Sequence, residues 1–171
     1  KTSNTTFIDK ELEEKTKSFT SFRSYNSYFK SLGILIDQEK RKLFISKEIM
    51  KLSNKKKLKI NLKKELLEEI TNIVEKPKIL FCEFDKKYLM IPKEILIITM
   101  QNHQKYFPVF DVKENLTNNF IVVADKTDPK GFIKSGNERV IEARLNDAEF
   151  FWKKNRSQNL VKQVSRLKNI N

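Results

Sequence analysis

The stretch SGNERVIEARLNDAEFFWKKN, residues 135–155, decides how the rest of the chain is read. Ile141, Leu145, Ala148 and Trp152 recur at i, i+4, i+7 and i+11, which puts them on one side of a helix. Ser135 and Glu138 stand at the spacing of a capping box, whose side chains satisfy two free N–H groups at a helix start. The spacing predicts a long amphipathic helix over 137–155 with one stripe on a core. Arg144 falls at the edge of that stripe, beside Ala148 and Phe151, with Asn137 and Asp147 on the same edge. A polar edge of this kind serves either an internal ion pair, here with Asp147, or an interface. Lys153, Lys154 and Arg156 lie at and just past the last turn. They complement the negative end of the helix dipole and equally suit a phosphate backbone.

Working upstream, KTDPKGFIKSG (126–136) reads as a polar loop, and the loop follows a strand pair, YFPVFDV (106–112) and NFIVVAD (119–125). Before the pair stands PKEILIITMQNHQ (92–104), a helix with Pro92 at its first position, where a missing N–H costs nothing. Its ILII core is apolar on all sides and predicts burial. His103, the only histidine, shares a face with Leu96 and Met100 at i+7 and i+3. That predicts a partly buried imidazole near the helix end. It either fixes the corner between helix and strand or contacts an RNA phosphate or a partner, with Lys105 and Tyr106 alongside. Tyr106 and Phe107 are either core residues or rings that stack on bases.

KILFCEF (78–84) reads as a strand. KKELLEEITNIVEK reads as a helix with Leu66, Ile70, Ile73 and Val74 inward, stopped by Pro77. Asp37 is an N-cap candidate for DQEKRKLFISKEIMKLSN, with Leu43, Phe44, Ile49 and Met50 at helical spacing. NKKKLKINL runs from a charged turn into a short strand. YNSYFKSLG is a short helix with Tyr25, Tyr28, Phe29 and Leu32 on one face, ended by Gly33. Residues 1–22, including the charged run DKELEEKTK, form a poorly defined N-terminal segment. The whole is an α+β chain of mixed helices and short, mostly antiparallel strands. It has one domain over 23–171, divisible into lobes at 23–90 and 91–171.

Lys plus Arg number 35 against 22 acidic residues, a net charge of +13. That surplus suits a polyanion, nucleic acid before an anionic membrane, or it serves solubility alone. Cys82 is the only cysteine, so an intrachain disulfide is excluded and a reducing cytoplasm fits. The chain has no Cys/His zinc pattern, and its three glycines leave little for a phosphate-cradling loop. No apolar run reaches the ~20 residues of a membrane span. No catalytic residue, metal ligand or cofactor is expected in this chain. A start on Lys1 and an end at RLKNIN read as a fragment or a trimmed product.

Three stretches carry a resemblance: LLEEITNIVEKPKILFCEFDKKYLMIPKEI (66–95), LIITMQNHQKYFPVFD (96–111) and GNERVIEARLNDAEFFWKKN (136–155). In order and spacing they resemble the β subunit of the bacterial two-subunit glycyl-tRNA synthetase, over roughly residues 24–171. The resemblance implies an α₂β₂ assembly in the cytoplasm. Its α subunit would hold the class II catalytic core for glycine, ATP and Mg²⁺, and its β subunit would handle much of the glycine tRNA. A full β subunit is several times longer, with an HD-type domain and a C-terminal anticodon-binding domain, so this chain corresponds to part of the N-terminal half. The family's Gly-His-Arg-Phe-like segment is absent near TSNTTFIDKE, and KTDPKGFIKSG also departs from the family pattern. The expected partners are the α subunit, glycine tRNA and a second β subunit.

The expected role is a non-catalytic, tRNA-handling and scaffolding segment, or alternatively a structural spacer that touches no RNA. A hydrolytic editing module lacks a visible nucleophile or metal set. Candidates for tRNA or partner contact are His103, Lys105, Tyr106, Arg139, Arg144, Lys153, Lys154 and Arg156.

Overall fold

Strand β4 (Lys78–Glu83) alternates its side chains between two apolar layers, and that alternation organises the molecule. The computed structural model describes residues 5–7 and 16–157. In chain order, the elements before β4 are β1 (Thr5–Phe7), β2 (Thr16–Ser18), α1 (Phe22–Ser31), α2 (Gln38–Lys56), β3 (Lys59–Ile60) and α3 (Lys64–Ile73). After it come a 3₁₀ turn (Lys86–Met90), α4 (Lys93–Ile98), a π turn (Thr99–His103), β5 (Phe107–Phe110), β6 (Leu116–Ala124) and α5 (Phe132–Ser157). β1 and β2 pair with each other. Most of the DKELEEKTK run lies outside the described residues.

The main sheet has the order β3-β5-β6-β4, with every neighbour antiparallel. The expected α+β class and antiparallel pairing are therefore what the chain adopts. β6 lies at the centre and pairs with β4 from Lys78↔Ala124 to Glu83↔Asn119. On one face Cys82, Phe84, Phe120 and Val122 pack with Tyr88, Ile91, Leu96, Met100, Tyr106, Ile141 and Leu145, beneath α4 and α5. On the other, Phe107, Val109 and Ile121 pack with Ile45 and Ile49 of α2 and with Leu66, Leu67 and Ile70 of α3. Tyr106 and Phe107 are consecutive yet belong to opposite layers, as the period of two along extended chain requires.

Several helices differ from expectation in phase or bounds. Asp37 does cap α2, accepting from the Lys40 N–H at 3.1 Å. The buried line of α2, however, is Arg41, Ile45 and Ile49, and Leu43, Phe44 and Met50 face solvent. The line runs through a buried arginine, so a purely apolar count picks the wrong side. Arg41 Nε donates to the Thr71 carbonyl at 2.7 Å, and Nη1 donates to the Leu35 carbonyl. In α3 the stripe is Leu66, Leu67, Ile70 and Thr71, and Ile73 is exposed. The helix ends at Ile73 and Val74 is extended, so Val74 reaches the core by a strand's geometry rather than a helix's.

Pro92 stands one position earlier than expected, as the N-cap of α4. Leu96 and Met100 seat this helix on the core, while Ile98 reaches solvent. Helix α5 starts at Phe132, within the segment expected to be a loop. Asp128 explains the difference, because its carboxylate accepts the Ile133 and Lys134 N–H groups at 3.1 and 2.8 Å. Gly131, at φ +71, makes the left-handed turn into the helix that a side chain would disfavour. Ser135 is thus an exposed residue of the first turn and no N-cap. Glu138 instead accepts the Glu83 N–H at 2.9 Å, fastening α5 to the end of β4.

Candidate nucleic-acid interface

Helix α5 is held on the sheet by Ile141 and Leu145, both fully buried, and by the partly buried Trp152. Two tyrosine hydroxyls fix its rotation. Tyr106 donates to Asn137 Oδ1 and Tyr88 donates to Asn146 Oδ1, each at 2.6 Å. With the inner side settled, the outer side follows from about 100° per residue. It presents Arg139, Lys153 and Lys154, while Arg144 and Arg156 flank the buried stripe, all five exposed. Arg139 and Lys154 lie within about 60° of each other and about 22 Å apart along the axis. Arg144 sits to one flank, and Arg156 to the other, its guanidinium 5.2 Å from the Trp152 ring centre.

Apolar groups interleave with these cations. Val140, Phe150 and Phe151 are exposed. The two phenylalanine rings meet edge to face at 5.5 Å, and Lys154 Nζ lies 5.8 Å over Phe150. Lys153 is partly neutralised by Glu149, one turn back. Arg144 and Asp147 are both exposed and make no ion pair with each other, so the internal-pair alternative does not hold. Arg139 lines an open cleft of about 490 Å³ that also contains Glu83, Asp85, Lys86, Glu138 and Glu142. Its immediate field is therefore mixed.

The corner at 103–106 resolves the histidine question against burial. The π turn over Thr99–His103 widens the helix, so successive residues advance by less than 100° and the α-helical phase is lost. Met100 remains buried while His103 turns outward and is exposed. Lys105 takes a left-handed backbone at φ 58, unusual for a residue with a side chain, and its ammonium pairs with Glu69. Tyr106 is buried, with its ring 4.9 Å from that of Phe120. Burial first, and the neighbouring Cys82 second, push its hydroxyl up to about 12. Its ring is unavailable for stacking on a base, so the core alternative is the one realised. The sequence candidates thus divide: Arg139, Arg144, Arg156 and His103 are exposed, Lys154 is exposed with its ammonium over Phe150, Lys153 and Lys105 are salt-bridged, and Tyr106 is internal.

Asn137, Asn146, Glu138 and Asp128 position this surface and were not singled out as positioning residues by sequence reasoning. A signal existed for the first two: a buried tyrosine needs a hydroxyl partner, and polar residues flanking the α5 stripe could supply it. Among the described residues no helix is long and apolar enough to cross a membrane, and no group of three or more His, Cys, Asp or Glu could hold a metal ion.

A family model described as glycyl-tRNA synthetase beta subunit matches residues 1–171. The chain is 42% identical over 148 residues to the glycine–tRNA ligase beta subunit of Dictyoglomus thermophilum, covering 86% of this chain and 22% of that protein. It is 38% identical over 170 residues to the beta subunit of Clostridioides difficile, covering 98% of this chain and 24% of the relative. It is 36% identical over 171 residues to that of Thermodesulfovibrio yellowstonii, covering 99% and 25%. The chain thus spans about a quarter or less of the length of these relatives. The match over its full length, with the three motif stretches meeting in one core, shows that the chain belongs to the glycyl-tRNA synthetase beta subunit family.

Proposed function

We propose that this chain is a non-catalytic, tRNA-handling and scaffolding segment of a glycyl-tRNA synthetase β subunit. In this reading it supports the ATP-dependent attachment of glycine to its tRNA in the cytoplasm. ATP, Mg²⁺ and the class II chemistry belong to the α subunit, and a second β subunit completes the assembly. The observation that carries the tRNA contact is α5: its rotation is locked by the two tyrosine–asparagine bonds, and Arg139, Arg144, Lys154 and Arg156 stand exposed on its outer side and flanks along one rigid rod. Cations on a rigid element can follow a phosphate backbone, and such contacts position an RNA without reading its sequence. His103, exposed beside the same helix, extends the surface at the corner.

A second reading has its own support. The exposed Phe150–Phe151 pair suits a protein neighbour, and Lys153 is already paired. Under that reading the segment is a spacer that docks a subunit and touches no RNA. Aminoacylation by the assembled enzyme separates the two. The combined change of Arg144 and Arg156 to Gln raises the KM for tRNA with kcat preserved if α5 contacts tRNA. It leaves both unchanged if α5 is a spacer.

A further inference from the structure

Helix α1 serves neither apolar layer. None of its residues is buried, although its sequence is strongly two-sided. Phe19, just before it, packs against Tyr25 at 5.1 Å and Tyr28 at 5.5 Å, and Tyr25 meets Phe29 at 4.6 Å. Phe22 lies over Tyr25 at 6.3 Å and 24°, and is itself 75% exposed. These rings form an aromatic shelf that belongs to neither apolar layer among the described residues.

The charge along this stretch of chain is one-sided. From Thr16 to Ile36 the sequence has no Asp or Glu, and it contains Lys17, Arg23 and Lys30, all exposed. Lys17 Nζ lies 5.6 Å over the Tyr28 ring. The remaining positions of α1 are mostly Ser and Asn. The helix has no aliphatic side chain for an apolar helix partner to pack against. What the shelf offers instead is flat rings edged by cations and hydroxyls.

We propose that the α1 shelf is a stacking site for unpaired bases of single-stranded nucleic acid, with Phe22 as its outermost ring and Lys17, Arg23 and Lys30 on the phosphates. Ring faces accept any base, and nearby cations draw the strand's backbone. Phe22, Tyr25 and Phe29 stand at i, i+3 and i+7, a rise of about 10 Å, enough for about three stacked bases. Bases inside a duplex keep their faces covered, so a paired strand cannot use the shelf. The site lies on a different helix from the α5 contact and does not depend on it.

The test is a fluorescence-anisotropy titration of the 171-residue chain with labelled 12-nucleotide oligouridylate and oligoadenylate, as RNA and as DNA, and with a duplex of equal length. The shelf predicts that single strands of either sugar bind, and that Phe22→Leu weakens them by about fivefold or more. Phe22→Trp binds at least as tightly as the unaltered chain, because it keeps a ring. Leu keeps the apolar surface and removes only the ring, and the exposure of Phe22 spares the fold. Equal affinity of the Leu variant, or no single-strand binding at all, overturns the shelf. So does an equal loss of duplex binding in that variant. The outcome is independent of whether the Arg144 and Arg156 variants lose tRNA. A shelf that takes a protein segment instead would tolerate Phe22→Leu and bind no oligonucleotide.

Discussion

The Tyr106 hydroxyl donates to Asn137 Oδ1 at 2.6 Å, joining the stretch HQKYFPVF to the stretch GNERV across 31 residues of chain. Asn137 is held for this bond by its own amide, which donates to the Ile133 carbonyl at 2.7 Å. Tyr88 and Asn146 repeat the arrangement two and a half turns along α5, a distance that follows from nine residues at 3.6 per turn. The motifs that carry the family resemblance are therefore largely the parts that seat and orient α5.

Tyr106→Phe removes the donor and leaves Asn137 Oδ1 partly buried without it. The expected loss is about 1–2 kcal/mol in urea unfolding, the range for one partner stranded at a half-buried site. Combining it with Asn137→Ala gives less than the sum of the two single losses, because the second change removes a bond already broken. Strict additivity would show that the bond contributes nothing.

Stability falls as pH rises through the alkaline range. Burial pushes the Cys82 thiol from 9.0 up to about 12, and Tyr106 from 10.0 up to about 12. In the unfolded chain both groups give up protons at the lower values, while the folded chain retains them. Their contribution is thus complete below about pH 9 and is lost between about 9 and 12. Unfolding free energy measured across that window declines, and declines less steeply in Tyr106→Phe. Cys82 in the folded chain resists alkylation at pH 8, where the thiolate is scarce.

Asp128→Ala strands the Ile133 and Lys134 N–H groups at the start of α5 and costs about 1 kcal/mol. Ser135→Ala, at the site that sequence spacing alone favours for the cap, leaves the thermal midpoint within error. The reverse ranking would place the helix start at Asn137 after all.

Arg41→Met removes donors from the Thr71 and Leu35 carbonyls and costs about 2–3 kcal/mol, the range for bonds made by a charged donor. An exposed arginine changed in the same way would be near neutral, so chemical denaturation of this single variant tests whether the buried line of α2 passes through Arg41.

What could be read in the sequence was whatever repeats along one element. The strand pair at 106–125, the α5 stripe and the Asp37 cap follow from local sequence, and the structure keeps them. What escaped depends on partners distant in the chain. Arg41 looks like a surface cation until Thr71 and Leu35 bring carbonyls to it. His103 keeps helical phase with Met100 only if no π turn intervenes, and the insertion leaves no periodic trace. Ser135 and Glu138 have the spacing of a cap, but Asp128 competes for the helix start and Glu138 is taken by the end of β4. Among the contact candidates, exposure sorted those that the sequence could only group.

The central claim is that the exposed cations of α5 lie along a tRNA backbone. Its most direct test is the salt dependence of glycine-tRNA binding by the chain, measured beside the variant with Arg144 and Arg156 changed to Gln. The predicted result is steep weakening as salt rises, with a log–log slope shallower by about 0.9 for each duplex phosphate that the variant no longer neutralises. Equal affinities and equal slopes for the two proteins would contradict the claim and leave α5 as a spacer.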